Sequence, residues 1–207
     1  MDKILLGMMA LTLPLLAVSC NDDSETGTAD DWQARNVAYV DSLTAVWRAQ
    51  QDDPSSVAEG DTLYRLDTQY TPDGFLYYKR CGVADGFVGV GETAKFTDVV
   101  RVYYKGWLID GTEFDSNYSG DYPDYELDIP TDFTVSGLQA SSGGIIYGWT
   151  EILQVMRPAA NATDKRGDMF RVFIPADQGY GASASGSVPA NSTLIFDINL
   201  VEVNPGD

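Results

Sequence analysis

The chain has 207 residues, 44% of them hydrophobic, with 13 Lys and Arg against 31 Asp and Glu for a formal charge of -18. So acidic a protein repels nucleic acid and anionic lipid surfaces alike, and nucleic acid is not an expected partner. It has no histidine, which removes Ser-His-Asp and Cys-His chemistry, histidine metal ligation and the ordinary near-neutral proton shuttle.

After Lys3, residues 4–18 are almost wholly apolar and stop abruptly at Ser19-Cys20, too short for a full membrane span and suited to a secretory leader over 1–19. Ala17 and Ser19 ahead of Cys20 resemble the lipobox of bacterial lipoproteins, although Ala17 stands where leucine is commoner. That resemblance implies lipidation of Cys20, which becomes the mature N-terminus. An ordinary leader cleaved nearby is the competing reading. Acyl chains contribute about 0.8 kcal/mol per buried methylene, so two or three of them hold a protein at a membrane without a spanning helix. The expected location is the bacterial cell envelope, at the periplasmic or surface-exposed side of the outer membrane. Residues 20–30 are polar and acidic, without apolar periodicity, and read as a tether. Cys81 is then left without a partner, so no intramolecular disulfide is expected and it reads as a small buried hydrophobe.

Residues 31–91 read as an N-terminal helix and extension. Trp32, Val40, Leu43 and Trp47, with Tyr39 and Val46 beside them, recur at helical spacings over 31–51. Asp30 or Asp31 suits the cap, and Asp53-Pro54 stops the helix because proline and the residue before it both disfavour continuation. The apolar stripe is expected to pack on the main domain. Short strands follow. Phe75 to Lys79 comes after a Pro72-Asp73-Gly74 turn, and Val99 to Tyr104 is rich in branched and aromatic residues. Asp110-Gly111 carries hairpin chemistry between Trp107-Leu108 and Phe114. One short helix is expected over 149–156, preceded by Gly148, with i,i+4 apolar pairs Trp149/Leu153 and Ile152/Met156. The last strands are 170–174 and 193–203, where Leu194, Phe196, Ile198 and Leu200 share one face. Antiparallel strands with a single helix before the last two make an α+β fold, a curved sheet needing the tryptophan-led helix to fill its hollow.

In order, the chain delivers Val102-Tyr103-Tyr104-Lys105-Gly106-Trp107-Leu108, Phe114-Asp115-Ser116, Ile145-Ile146-Tyr147-Gly148-Trp149, Ile174-Pro175, Gly179-Tyr180-Gly181, Val188-Pro189 and Leu194-Ile195-Phe196-Asp197. These segments resemble the FKBP family of peptidyl-prolyl cis/trans isomerases, over roughly 92–204. The resemblance implies an FKBP-like domain, a sheet of five or six antiparallel strands folded around the short helix, with proline-containing polypeptides as substrates and no cofactor or metal. It also implies a pocket in which Trp149 is the floor under a proline ring and Tyr104, Phe114 and Phe196 are walls. Ile145 and Ile146 line the rim, the Ile146 N–H holding a substrate carbonyl. Tyr180 donates its hydroxyl to another carbonyl, Asp115 orients Tyr104, Val188 adds a branched apolar side chain, and Phe133 is a further wall. Taken singly, Phe196, Ile146 or Trp149 would suit the core of any β protein; their order and spacing together carry the resemblance.

Such chemistry tolerates a chain without histidine, because prolyl rotation makes and breaks no covalent bond. Its barrier of about 18–20 kcal/mol comes from amide conjugation, and a water-poor apolar hollow favours the twisted, less charge-separated amide. The chain departs from the family pattern at the Ser/Gly-rich 138–144 before Ile145, at a lengthened 157–168, and at the small polar run 182–187. Two functions therefore stay open: a lipid-anchored isomerase assisting the folding of exported proteins, and a non-catalytic binding module on the same fold. A monomer is expected. The carboxylates Asp121, Asp124, Glu126 and Asp128 read as a solvated acidic loop, since their spacing lacks the glycine and terminal glutamate of a calcium loop.

Overall fold

A computed structural model describes residues 29–206 apart from 59, 70, 138–144 and 162, with the side chains of 29 and 30 also undescribed. The expected leader, Cys20, the tether up to residue 28 and the 138–144 segment lie outside the described residues. No helix among the described residues is long and apolar enough to cross a membrane.

Seven strands form one sheet among the described residues: β1 (Tyr64–Asp67), β2 (Phe75–Cys81), β3 (Val99–Trp107), β4 (Glu113–Ser116), β5 (Thr131–Thr134), β6 (Met169–Ile174) and β7 (Leu194–Val203). Their order is β1-β2-β6-β7-β3-β4, with β5 also paired to β3, and every pairing is antiparallel. Five strands come from 92–204, within the five or six expected of that region, and the stretch before it adds two more through the β2/β6 pairing. Without the Tyr77–Cys81 backbone, β6 would present an unpaired edge.

Side chains of the central strands alternate between two faces. On one face Val102, Val172, Phe196, Ile198 and Leu200 bury against Trp149, Ile152, Leu153 and Met156 of the short helix and the turn after it. On the other, Tyr77, Phe173 and Ile195 meet the N-terminal helix α1 (Ala29–Asp52), while Tyr103, Met169 and Val201 are covered by Phe87, Tyr118 and Tyr125. The expected stripe of α1 divides its work. Tyr39, Leu43 and Trp47 pack on the sheet, with Tyr39 6.3 Å from Phe173 and Trp47 6.5 Å from Tyr77 between ring centroids, whereas Val46 is exposed. Trp32 reaches the main core. Asp53 then accepts from Ser55 N–H and starts the Pro54–Ser56 turn that ends the helix run.

The short helix α2 spans Tyr147–Leu153 and so begins earlier than expected, with Gly148 inside its first turn rather than ahead of it. A Cβ at Gly148 would lie 2.6 Å from Ile174 Cγ2, and the bare backbone is what lets α2 approach β6 so closely. Cys81 is half-buried rather than enclosed, its thiol pushed up chiefly by desolvation and next by the Asp197 charge. The acidic loop closes on itself: Asp128 accepts from the Ser119 and Asp124 N–H groups, and Asp124 from Glu126 N–H.

Candidate active site

The β3-β4 hairpin, β5, α2 and β7 converge on a cavity of about 200 Å³ lined by Tyr104, Phe114, Asp115, Phe133, Ile145, Ile146, Trp149, Tyr180 and Phe196. Trp149, buried at the start of α2, forms its base. Three rings meet the indole edge-on: Tyr104 at 5.2 Å and 86°, Phe196 at 5.2 Å and 85°, and Phe133 at 5.4 Å and 69°. Phe114 stands against Phe196 in the same way, 5.3 Å and 85°. Edge-to-face pairing sets the positive rim of one ring on the negative face of the next, so the walls fix one another. The Trp149 Nε1–H is buried without a hydrogen-bond partner among the described residues.

The polar groups sit at the rim. The Tyr104 hydroxyl donates to Asp115 Oδ2 at 3.0 Å. Desolvation first, then the Asp115 charge and hydrogen bond, raise the phenol well above its ordinary value, so it stays a protonated donor throughout the physiological range. Tyr180, on the turn after the Ala176–Gln178 helical turn, is 40% exposed, leaving its hydroxyl open to an incoming chain. Ile146 is the N-cap residue of α2, at φ -70° and ψ 158°, and its N–H precedes those the helix must use internally.

Nine of the ten pocket residues expected from sequence thus line one cavity. Val188 does not; it is buried in the main core at 4% exposure. The Ser185 and Val188 backbones bond to each other in both directions, and this tight loop turns the valine inward. None of the described residues of 157–168 lines the cavity. That lengthened turn is tied instead at its base, where buried Asp168 accepts from Gly89 and Arg157 N–H.

Two residues that shape the site escape a reading for pocket side chains. Gly106 lies in β3 beneath the paired rings; a Cβ there would come within 2.7 Å of Phe196 Cε1 and 2.8 Å of Phe114 Cζ. A glycine inside a strand is itself the signal of a close approach. Asn117 accepts from Tyr104 N–H at 2.7 Å and donates to Val102 O and Thr131 Oγ1, fastening β5 and its Phe133 to β3. In sequence it shows only as part of an Asn-Tyr-Ser triplet.

An antiparallel sheet folded on one helix, with an indole-floored aromatic cavity at the helix start, defines a class of protein, the FKBP fold. The sequence pattern described as FKBP-type peptidyl-prolyl cis-trans isomerase matches residues 91–201, and the chain belongs to that family. The FKBP-type peptidyl-prolyl cis-trans isomerase FkpA of Escherichia coli strain K12 is 37% identical over 118 residues, covering 56% of this chain and 35% of the relative. A probable FKBP-type isomerase of Haemophilus influenzae is 34% identical over 141 residues, covering 67% of this chain and 46% of the relative. The crystal structure of FkpA from Escherichia coli superposes with a TM-score of 0.50 at 28% identity, covering 84% of this chain and 65% of that one. The matched stretch therefore spans less than half of these curated relatives.

Proposed function

We propose that this chain is a peptidyl-prolyl cis/trans isomerase that assists the folding of exported proteins at the bacterial cell envelope, held there as a monomer by a lipid on Cys20. The observation that carries the activity is the aromatic-walled cavity over Trp149, with the Tyr104 hydroxyl, Asp115 and Tyr180 among its lining. A proline ring placed against Trp149 is surrounded by Tyr104, Phe114, Phe133 and Phe196. There the planar amide loses the water that stabilises its charge separation, while the rotated form, less polar, loses little. The Ile146 N–H and the Tyr180 hydroxyl hold the flanking carbonyls so that rotation is confined to one bond, and Asp115 keeps the Tyr104 hydroxyl fixed. No proton moves, consistent with a chain that lacks histidine. The apolar segment ending at Ser19-Cys20 supports the envelope location and the anchor.

A protease-coupled assay on a proline peptide tests this directly. The intact chain should accelerate exchange, and Phe114→Ala or Tyr180→Ala should each lower kcat/KM by about tenfold or more. No acceleration by a folded wild-type protein would leave a proline-binding module instead. Metabolic labelling with a fatty acid, lost on Cys20→Ser, tests the anchor.

A further inference from the structure

The α1 helix does more than cover the sheet, because its N-terminal half is hydrogen-bonded to the segment that carries the pocket's exposed tyrosine. Asn36, only 3% exposed although polar, accepts the Thr193 N–H at 2.6 Å through its side-chain oxygen and donates to Trp32 O at 2.8 Å. One turn earlier the Trp32 indole N–H reaches Ser192 Oγ at 3.0 Å, and Ser192 in turn donates to Pro189 O at 2.7 Å. From here the chain of contacts continues to the pocket: Asn191 N–H donates to Gly181 O at 2.8 Å, and Gly181, at φ +61°, is the turn residue directly after Tyr180. Within 180–193 the Ser185/Val188 bridge and the Ser183 N–H to Tyr180 O bond close the loop on itself, and the Gly181 N–H donates to Ala176 O at 2.7 Å on the helical turn before it. Its fixed points on the rest of the fold are therefore the Gly181–Ala176 bond at its start, these contacts with α1 at its end, the burial of Val188 and the start of β7.

We infer that Asn36 is a positioning residue for prolyl isomerisation, acting through Thr193, Asn191 and Gly181 to hold the Tyr180 hydroxyl over the cavity, with the Trp32–Ser192 bond as its second brace. The inference rests on the isomerase reading above. It assigns the helix, which lies ahead of the region matched to the family at 91–201, a part in that site. The physical reason is economy of freedom. A hydroxyl on an exposed loop must be held before the substrate arrives, or its ordering is charged against the transition state. Two side-chain hydrogen bonds from a 24-residue helix, one buried and one partly buried, supply that order, and an alanine at position 36 leaves the Thr193 N–H unsatisfied in an enclosed place.

The test is a double-mutant cycle on the full chain, measured well below each variant's unfolding temperature. Asn36→Ala should lower kcat/KM for a proline peptide about fivefold, and Asn36→Asp, which keeps the acceptor for Thr193, should recover most of it. In a Tyr180→Phe background the Asn36→Ala effect should vanish, since the hydroxyl it positions is gone. A purely structural Asn36 would lower Tm yet leave kcat/KM per folded molecule unchanged, or add its loss to that of Tyr180→Phe; either result overturns the inference. If Asn36→Ala does not fold, Trp32→Phe removes the second brace and enters the same cycle. Should the wild-type chain prove inactive, the isomerase reading fails separately, and the amide resonances of Tyr180 and Gly181 still report the coupling. A shift on Asn36→Ala reversed in Asn36→Asp supports it, and unmoved resonances refute it.

Discussion

At the scale of single residues the site is a matter of which atoms are left out as much as which are present. Gly106 allows Phe114 and Phe196 to stand edge-to-face above β3. Gly106→Ala would push a methyl against both rings, an overpacking costing about 1–3 kcal/mol. The expected outcome is a lower urea midpoint together with a loss of kcat/KM, because the displaced rings are the cavity wall. An activity equal to wild type would show that the rings can move without consequence. Most of the wall is legible in the sequence through its resemblance to the FKBP family, which implies Tyr104, Phe114, Trp149 and Phe196 in one pocket; taken singly each would suit any core. Val188 was misread for the opposite reason. A branched residue before a proline looks the same in sequence whether it faces a hollow or the core, and only the Ser185/Val188 backbone bonding turns it inward.

At the scale of elements, α1 shows how far periodicity reaches. The spacing of Trp32, Tyr39, Leu43 and Trp47 announced the helix and its apolar face, and Asp53-Pro54 announced its end. Periodicity did not announce Asn36, a polar residue in the buried stripe, because its value lies in a backbone N–H 157 positions away. Nor did it separate the roles of the stripe. Trp47 serves stability: it packs on Tyr77 and Leu63, and Arg65 lies 5.4 Å over its ring. Trp47→Ala is expected to lower the unfolding free energy by about 2 kcal/mol, a half-buried fraction of a full aromatic deletion, with kcat/KM per folded molecule retained. Denaturant melts and an isomerase assay on the same sample would check both halves. The contrast with Asn36→Ala separates the two ends of one helix.

At the scale of the whole molecule, an acidic surface surrounds an interior rich in enclosed tyrosines. Tyr104, Tyr118 and Tyr125 are each raised well above the ordinary value of 10.0, desolvation by burial being the first cause in all three. The sign follows from linkage. Below about pH 10 folded and unfolded chains alike keep these protons, and the stability is present in full. As the pH rises beyond about 10 the unfolded chain ionises first, so the folded state loses ground and Tm falls steeply. The pocket rate, by contrast, should stay flat between about pH 6 and 9, the Tyr104 hydroxyl remaining protonated throughout and no histidine titrating. A bell-shaped profile in that window would contradict a mechanism without proton transfer. The sequence by itself determined the α+β alternation, the two helices and the exclusion of histidine-based machinery, because these depend on residue type and local period, while the aromatic inventory of the pocket came through the family resemblance. Only the tertiary structure decided which rings share a wall, that two early strands complete the sheet, and that a distant helix grips the Tyr180 loop. Those depend on pairings between residues far apart in the chain, whose register no local pattern encodes.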